Sequence, residues 1–170
     1  MDPFSTLGIA ASFDVDLPSA EKTHRELSRA LHPDRYIGVT PAERRQALGR
    51  AIEVNEAWRI VADPIRRAEA LLRLRGVPCD EGHEPAASPM FLMEMLERRE
   101  ALSNAKEQRD LAAVRELAGA MERAWRQTQR ELSQGFASGE AASLVGKLGE
   151  LRFYKRFLDE VSAIEDELAA

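Results

Sequence analysis

The chain has 170 residues, with 24 Lys+Arg against 29 Asp+Glu and a net charge of −5; it is long enough for one domain or two small ones. Its 44% hydrophobic content can bury a core, which excludes a disordered chain, and 31% charged with only 6% aromatic residues favours helices over sheets. The mild acidity argues against a general nucleic-acid binder, the single Cys79 excludes a disulfide framework or a multi-cysteine metal site, and no apolar run approaches the ~20 residues of a membrane span.

Taken in chain order, Asp2-Pro3-Phe4 opens a short helical turn that ends by Gly8. A second helix is predicted from Pro18-Ser19 to Leu31. Its Ala20, Leu27, Ala30 and Leu31 share one side, and Lys22, Arg25 and Arg29, three and four residues apart, share another. A loop follows from His32 to Val39. Thr40-Pro41-Ala42-Glu43 then combines a cap, a first-turn proline and a capping-box glutamate. The helix it starts carries Ala47, Ala51, Val54, Trp58 and Val61 as one buried stripe. Asp63-Pro64 ends it, and a shorter helix is predicted over Ile65–Arg75.

The richest turn segment is Gly76–Pro89, with two of the ten Gly and three of the eight Pro. It reads as a linker. Residues 1–75 carry twelve Lys+Arg against eleven Asp+Glu, whereas residues 76–170 carry twelve against eighteen, so the halves differ in charge as well as in pattern. Beyond the linker, Ser88-Pro89 is another cap with a first-turn proline. Helices are predicted over 89–107, 110–134 and 139–168. Leu111, Val114, Ala118, Met121, Trp125 and Leu132 form a stripe on the second, and Leu144, Leu148, Leu151, Leu158 and Val161 one on the third. Gly135 and Ala137-Ser138-Gly139 are read as the break between them. The result is an all-α chain ending in an antiparallel three-helix bundle.

Catalytic readings find little support. There is no glycine-rich phosphate loop and no Gly-x-Ser-x-Gly elbow, and the paired carboxylates fall on charged helix faces, where solvated ion pairs are expected. Cys79 and His83 are only two potential metal ligands in a loop, and Cys79 has no base beside it in sequence. His32-Pro33-Asp34 differs. Pro33 forces the chain out of the helix, which presents His32 and Asp34 at a corner beside the Lys22/Arg25/Arg29 face. Alone, this is also what an ordinary helix-ending turn looks like.

The order of basic helix, His-Pro-Asp turn, capped second helix with Asn55-Glu56-Ala57-Trp58, and Asp63-Pro64 resembles a J-domain, the module that stimulates ATP hydrolysis by DnaK-type chaperones. The resemblance implies that Lys22, Arg25, Arg29, His32, Pro33 and Asp34 contact the chaperone, with Arg35 and Tyr36 supporting the turn. A basic face would steer an acidic partner surface, so association should weaken as salt rises.

The stretch Phe91-Leu92-Met93-Glu94-Met95-Leu96-Glu97-Arg98-Arg99-Glu100 is apolar on two sides of a helix. At ~100° per residue, Phe91, Met95 and Leu102 fall together, while Leu92, Met93, Leu96, Glu97 and Glu100 centre roughly 150° away. One stripe can serve a bundle core. The other is either buried against the rest of the chain or open to a partner, for which methionine is well suited.

This run, the opening Asp2-Pro3-Phe4-Ser5-Thr6-Leu7-Gly8, the Arg67-Ala68-Glu69-Ala70-Leu71-Leu72 stretch and Leu151-Arg152-Phe153 resemble the HscB family of iron–sulfur co-chaperones across essentially the whole chain. The resemblance implies a J-domain (residues 1–75, a helical hairpin with flanking short helices), a linker (76–88) and a scaffold-binding three-helix domain (89–170) in an L-shaped molecule. It implies two partners, the scaffold protein IscU and the DnaK-type chaperone HscA, whose ATPase would be stimulated. Scaffold contacts map onto Leu92, Met93, Leu96, Glu97, Glu100 and Phe153, and Phe153 with Phe157 is read as a separate stripe on the last helix.

Two departures stand out. Where family members often carry a further acid one turn after Glu100, this chain has Asn104. It also lacks the cysteine-rich metal segment of eukaryotic relatives. The expectation is therefore a bacterial-type, metal-free, cytoplasmic monomer, without cofactor, enzymatic chemistry, nucleic-acid or membrane partner. The competing reading is a general J-domain co-chaperone with a different client.

Overall fold

The structure is a computed structural model that describes residues 2–79, 87–139 and 141–169. Among these residues it holds seven α-helices and no strand. They are α1 (Pro3–Thr6), α2 (Leu17–Ala30), α3 (Pro41–Ala62), α4 (Pro64–Leu74), α5 (Pro89–Glu107), α6 (Leu111–Ser138) and α7 (Leu144–Ala169), with single 3-10 turns at Pro33–Tyr36 and Ala141–Ser143. The chain forms two compact units, Met1–Val77 and Pro78–Ala170. Of the segment expected to be a linker, residues 80–86 lie outside the described residues.

In the first unit each helix starts where a short polar side chain accepts hydrogen bonds from otherwise orphaned amides. Asp2 accepts from Phe4 N (2.9 Å) and Ser5 N (3.3 Å). Asp16 caps α2 through Ser19 N (3.2 Å), so that helix begins slightly before the expected Pro18. Thr40 and Glu43 close a reciprocal capping box on α3: Thr40 N donates to Glu43 Oε2 (2.9 Å) and Glu43 N to Thr40 Oγ1 (3.3 Å). Asp63 caps α4 at Ile65 N and Arg66 N.

Helix α3 is the axis of the unit, packed by α1, α2 and α4. Its Ala47, Val54, Ala57 and Val61 are buried with Phe4, Leu7, Phe13, Ala20, Ala68, Leu71 and Leu72. Ala51 and Trp58 are only half-buried, and Ala30 of α2 is exposed rather than on the seam. Arg67 is buried in this core. Its Nη1 donates to Phe13 O at 2.8 Å and its guanidinium lies 5.1 Å over the Phe13 ring.

The second unit is an up-down-up bundle. Helices α6 and α7 run antiparallel, joined across their length by Arg115–Glu165 (3.1 Å), Thr128–Glu150 (3.4 Å) and Lys147–Glu131 (2.9 Å). Helix α5 runs parallel to α7, with Phe91 against Phe153 at one end and Lys106 paired to Glu167 (2.8 Å) at the other. The core holds Met95, Leu102, Val114, Met121, Leu132, Leu148, Leu151, Phe157 and Val161.

The expected break at Gly135 is absent. Helix α6 continues through it to Ser138 and stops at Gly139 (φ 89°), and α7 begins only at Leu144. Gly135 marks a close approach instead: a Cβ there would lie 2.3 Å from Leu144 Cδ2. Phe153 and Phe157 also part company, because Phe157 is fully buried while Phe153 is half-exposed.

Candidate functional site: two exposed surfaces

The corner after α2 begins at His32, whose extended backbone turns the chain into Pro33–Tyr36. His32 Nδ1 accepts from Asp34 N at 3.3 Å, and Arg35 N donates to His32 O at 3.0 Å. Asp34 Oδ2 also lies 3.5 Å from Nδ1. The two contacts are alternatives: Nδ1 can accept from the amide only without a proton, and can pair with the carboxylate only with one. Tyr36 reaches back to Ala30 O at 3.5 Å. The His32 ring therefore caps the turn, while the Asp34 side chain remains 80% exposed.

Lys22, Arg25 and Arg29 are all exposed. They lie within about 60° of one another and about 160° from the Ala20/Leu27/Leu31 seam, so packing α2 against α3 turns them outward. Arg25 makes an i,i+4 pair with Glu21 at 3.7 Å. Behind them the hairpin is fastened by His24. Its ring stacks on Trp58 (5.4 Å, 14°), and its Nε2 lies 2.9 Å from Asn55 Oδ1 and 3.3 Å from Ser28 Oγ. The sequence reading named Trp58 and Asn55 but not His24. Its position at the edge of the apolar seam of α2 was the available signal.

In the second unit α5 divides its two stripes. Met95, Leu102 and Ala105 are buried, whereas Leu92, Met93 and Leu96 remain 55%, 59% and 55% exposed, with Glu97 and Glu100 exposed beside them. Covering each of the three apolar side chains would be worth on the order of 1 kcal/mol. Phe91 turns inward, edge-on to Phe153 (5.7 Å) and Tyr154 (6.0 Å). Phe153 is further covered by the Arg99 guanidinium, 5.3 Å from its ring centre. Burial, and then the charge of Glu150, pushes the Tyr154 phenol above its ordinary range despite a hydrogen bond with Thr128.

Arg99 and the exposed Met90 extend this surface beyond the residues read from sequence. Met90 was legible from its spacing with Met93. The Arg99 contact is made across two helices and leaves no sequence signal. Asn104 is exposed on the same side as Glu100. Cys79 is fully buried, with its carbonyl accepting from Arg152 Nη2 at 2.8 Å, and His83 lies outside the described residues. Among the described residues no group of three His, Cys, Asp or Glu could hold a metal ion, and no helix is long and apolar enough to cross a membrane.

Comparison with known proteins adds to this geometry. The family model described as the HSCB C-terminal oligomerisation domain matches residues 87–162. The co-chaperone protein HscB homolog of Cupriavidus taiwanensis is 32% identical over 167 residues, spanning 98% of this chain and 95% of its own. That of Bordetella petrii is 34% identical over 163 residues, 95% of each chain. Among solved structures, the chaperone HscB from Vibrio cholerae superposes with a TM-score of 0.87 at 29% identity, over 99% of both chains. Human co-chaperone protein HscB shares the fold, with a TM-score of 0.90 at 22% identity over 97% of this chain and 82% of that one.

Proposed function

The chain belongs to the HscB co-chaperone family, and from that premise we propose that it carries the iron–sulfur scaffold IscU to the DnaK-type chaperone HscA and stimulates that chaperone's ATPase. The observation that carries the proposal is the presence of two unrelated exposed surfaces on separate compact units. One is a cationic corner ending in an open Asp34. The other is an apolar stripe of Leu92, Met93 and Leu96 edged by Glu97 and Glu100.

On this reading the basic face of α2 steers the chaperone's acidic surface into contact. Pro33 holds the corner rigid, and Asp34 makes a charge-assisted contact that is stronger than a neutral one. The second surface takes an apolar patch of the scaffold against Leu92, Met93, Leu96 and the Phe153 edge, and Glu97 and Glu100 set register. The protein performs no covalent chemistry of its own. Holding the scaffold on the same chain raises its effective concentration at the chaperone, and the corner shifts the chaperone toward its hydrolysing state. The protein acts as a monomer.

Steady-state ATP hydrolysis by the chaperone, measured with this protein and the scaffold added separately and together, tests the proposal. More-than-additive stimulation is expected. Stimulation indifferent to the scaffold would leave a J-domain serving another client.

A further inference from the structure

Neither surface uses Arg152. Among the described residues it and Arg67 are the two buried charged side chains. Arg152 Nη2 donates to Cys79 O at 2.8 Å, across 73 residues of sequence, and Cys79 is fully buried. A buried backbone carbonyl must find a donor, and a guanidinium donor makes the stronger, charge-assisted bond. The acceptor is main chain, so the contact fixes the path of the chain and not a particular side chain at position 79.

That path is the connection between the two units. The first unit ends in a closed helix terminus: Gly76 takes φ 72°, Gly76 N donates to Arg73 O at 3.0 Å, and Val77 N donates to Leu72 O at 2.9 Å. These two bonds satisfy the last carbonyls of α4 and hold the chain to that helix as far as Val77. Pro78 follows, exposed, with its φ fixed by its ring. Cys79 is then held on α7 of the second unit. Without that bond the next fixed point would be the Ser88 cap of α5, which accepts from Phe91 N at 3.2 Å. The clasp also has a particular place on α7. Arg152 immediately precedes Phe153, which meets Phe91 at 5.7 Å and Arg99 at 5.3 Å on the surface beside Leu92 and Leu96. One turn of α7 therefore takes up the incoming chain and carries the edge of that surface.

We propose that Arg152 is a positioning residue for scaffold delivery: by clasping Cys79 O it reduces the free tether between the two units from ten residues, 78–87, to Pro78 alone. This rests on the adaptor reading given above. Effective concentration falls roughly as the −3/2 power of tether length, so a short tether that starts beside Phe153 raises the concentration at which a bound scaffold meets the chaperone.

The test is the rate of ATP hydrolysis by HscA against concentration of the full-length protein, with equimolar IscU. Six Gly/Ser residues inserted after Val77 lengthen the free tether and should raise the half-maximal concentration about tenfold. The same six inserted after residue 83, beyond the clasp, should leave it unchanged. In an Arg152→Met background the two insertions should become equivalent. Without scaffold all variants should match the wild type, and their affinity for the scaffold should match too. Cys79 is the single cysteine, so its rate of reaction with an aromatic disulfide reports the clasp directly, with no partner present: slow in the wild type and at least tenfold faster in Arg152→Met. The insertions leave Arg152 and the core untouched and decide the matter even where Arg152→Met does not fold. Equal effects of the two insertions in the otherwise wild-type chain, or no effect of the first, overturn the proposal. So does an Arg152→Met chain that exposes Cys79 yet keeps the wild-type difference between the insertions. A wild type with no synergy removes the adaptor reading and the tether's role with it, even with Cys79 protected.

Discussion

Lys147 reaches across from α7 to Glu131 Oε2 at 2.9 Å and back to both carboxylate oxygens of Glu150 at 3.1 Å. The Lys147 bond, followed by one from Gln127, holds the Glu131 carboxyl below the usual range. For Lys147 burial is the largest single influence and opposes the charge, but its bonds to Glu131 and Glu150 and their charges together outweigh it, and the ammonium is held above its ordinary range. The stabilisation linked to Glu131 is therefore present above the ordinary carboxylate range and lost as pH falls through its depressed folded value. That linked to Lys147 persists until pH rises through its elevated value. Because the pair is more than a third exposed, Lys147→Gln should cost only about 1 kcal/mol or less. The difference in Tm from wild type should be flat between about pH 6 and 9 and close in acid. A difference that grew in acid would reject this cluster as the cause. The lysine and glutamates were visible in the sequence only as charges on helix faces, because their pairing depends on the register of α6 against α7. The same holds for Arg67 and Arg152, which look like surface charges and are instead buried, each donating to a backbone carbonyl. Burial holds the Arg67 guanidinium below its ordinary range, partly offset by Asp63 and Asp14.

Helix α6 contains two glycines that its sequence does not distinguish. A Cβ on Gly119 would meet the Arg123 side chain at an ordinary 3.5 Å from Nη1, whereas a Cβ on Gly135 would lie 2.3 Å from Leu144 Cδ2 and 3.2 Å from its Cδ1 and Cγ. Alanine in an open helix position gains about 1 kcal/mol over glycine, and forcing atoms into a packed seam costs about 1–3 kcal/mol. Gly119→Ala should thus raise stability by about 0.5–1 kcal/mol, while Gly135→Ala should be neutral to destabilising, as read from denaturant midpoints. Equal gains at both would show that Leu144 swings aside freely. Most of the elements were legible because their signals are local: Asp2, Thr40, Asp63 and Ser88 cap within four residues of themselves. The C-terminal end of α6 was not, because the same glycine serves a helix stop or a helix crossing, and only the neighbouring helix decides which.

Across the whole chain, the proposed mechanism requires both surfaces on one molecule. Asp34→Asn disables the corner, and Met93→Ala with Leu96→Ala disables the α5 stripe. A mixture of the two variants therefore offers each surface intact but on different chains. It should give the scaffold-independent stimulation of the stripe variant and no synergy with scaffold. Synergy restored in the mixture would mean that the tether contributes nothing and that effective concentration is the wrong account.

What the sequence determined by itself was the helical class, the caps, the exposed corner at His32-Pro33-Asp34 and the two-sided character of α5, since turn chemistry and a 3.6-residue period act within a few residues. It also carried the family, through the order of these features along the chain. Only the tertiary structure decided which of the two α5 stripes faces solvent and that Phe153 lies half-exposed between Phe91 and Arg99 while Phe157 is sealed in the core. It alone left Leu48 and Ile52 of α3 uncovered. Periodicity shows that a residue has a face, but the neighbouring helix that covers that face or leaves it open is far away in sequence, and its distance and register are settled only when the helices pack.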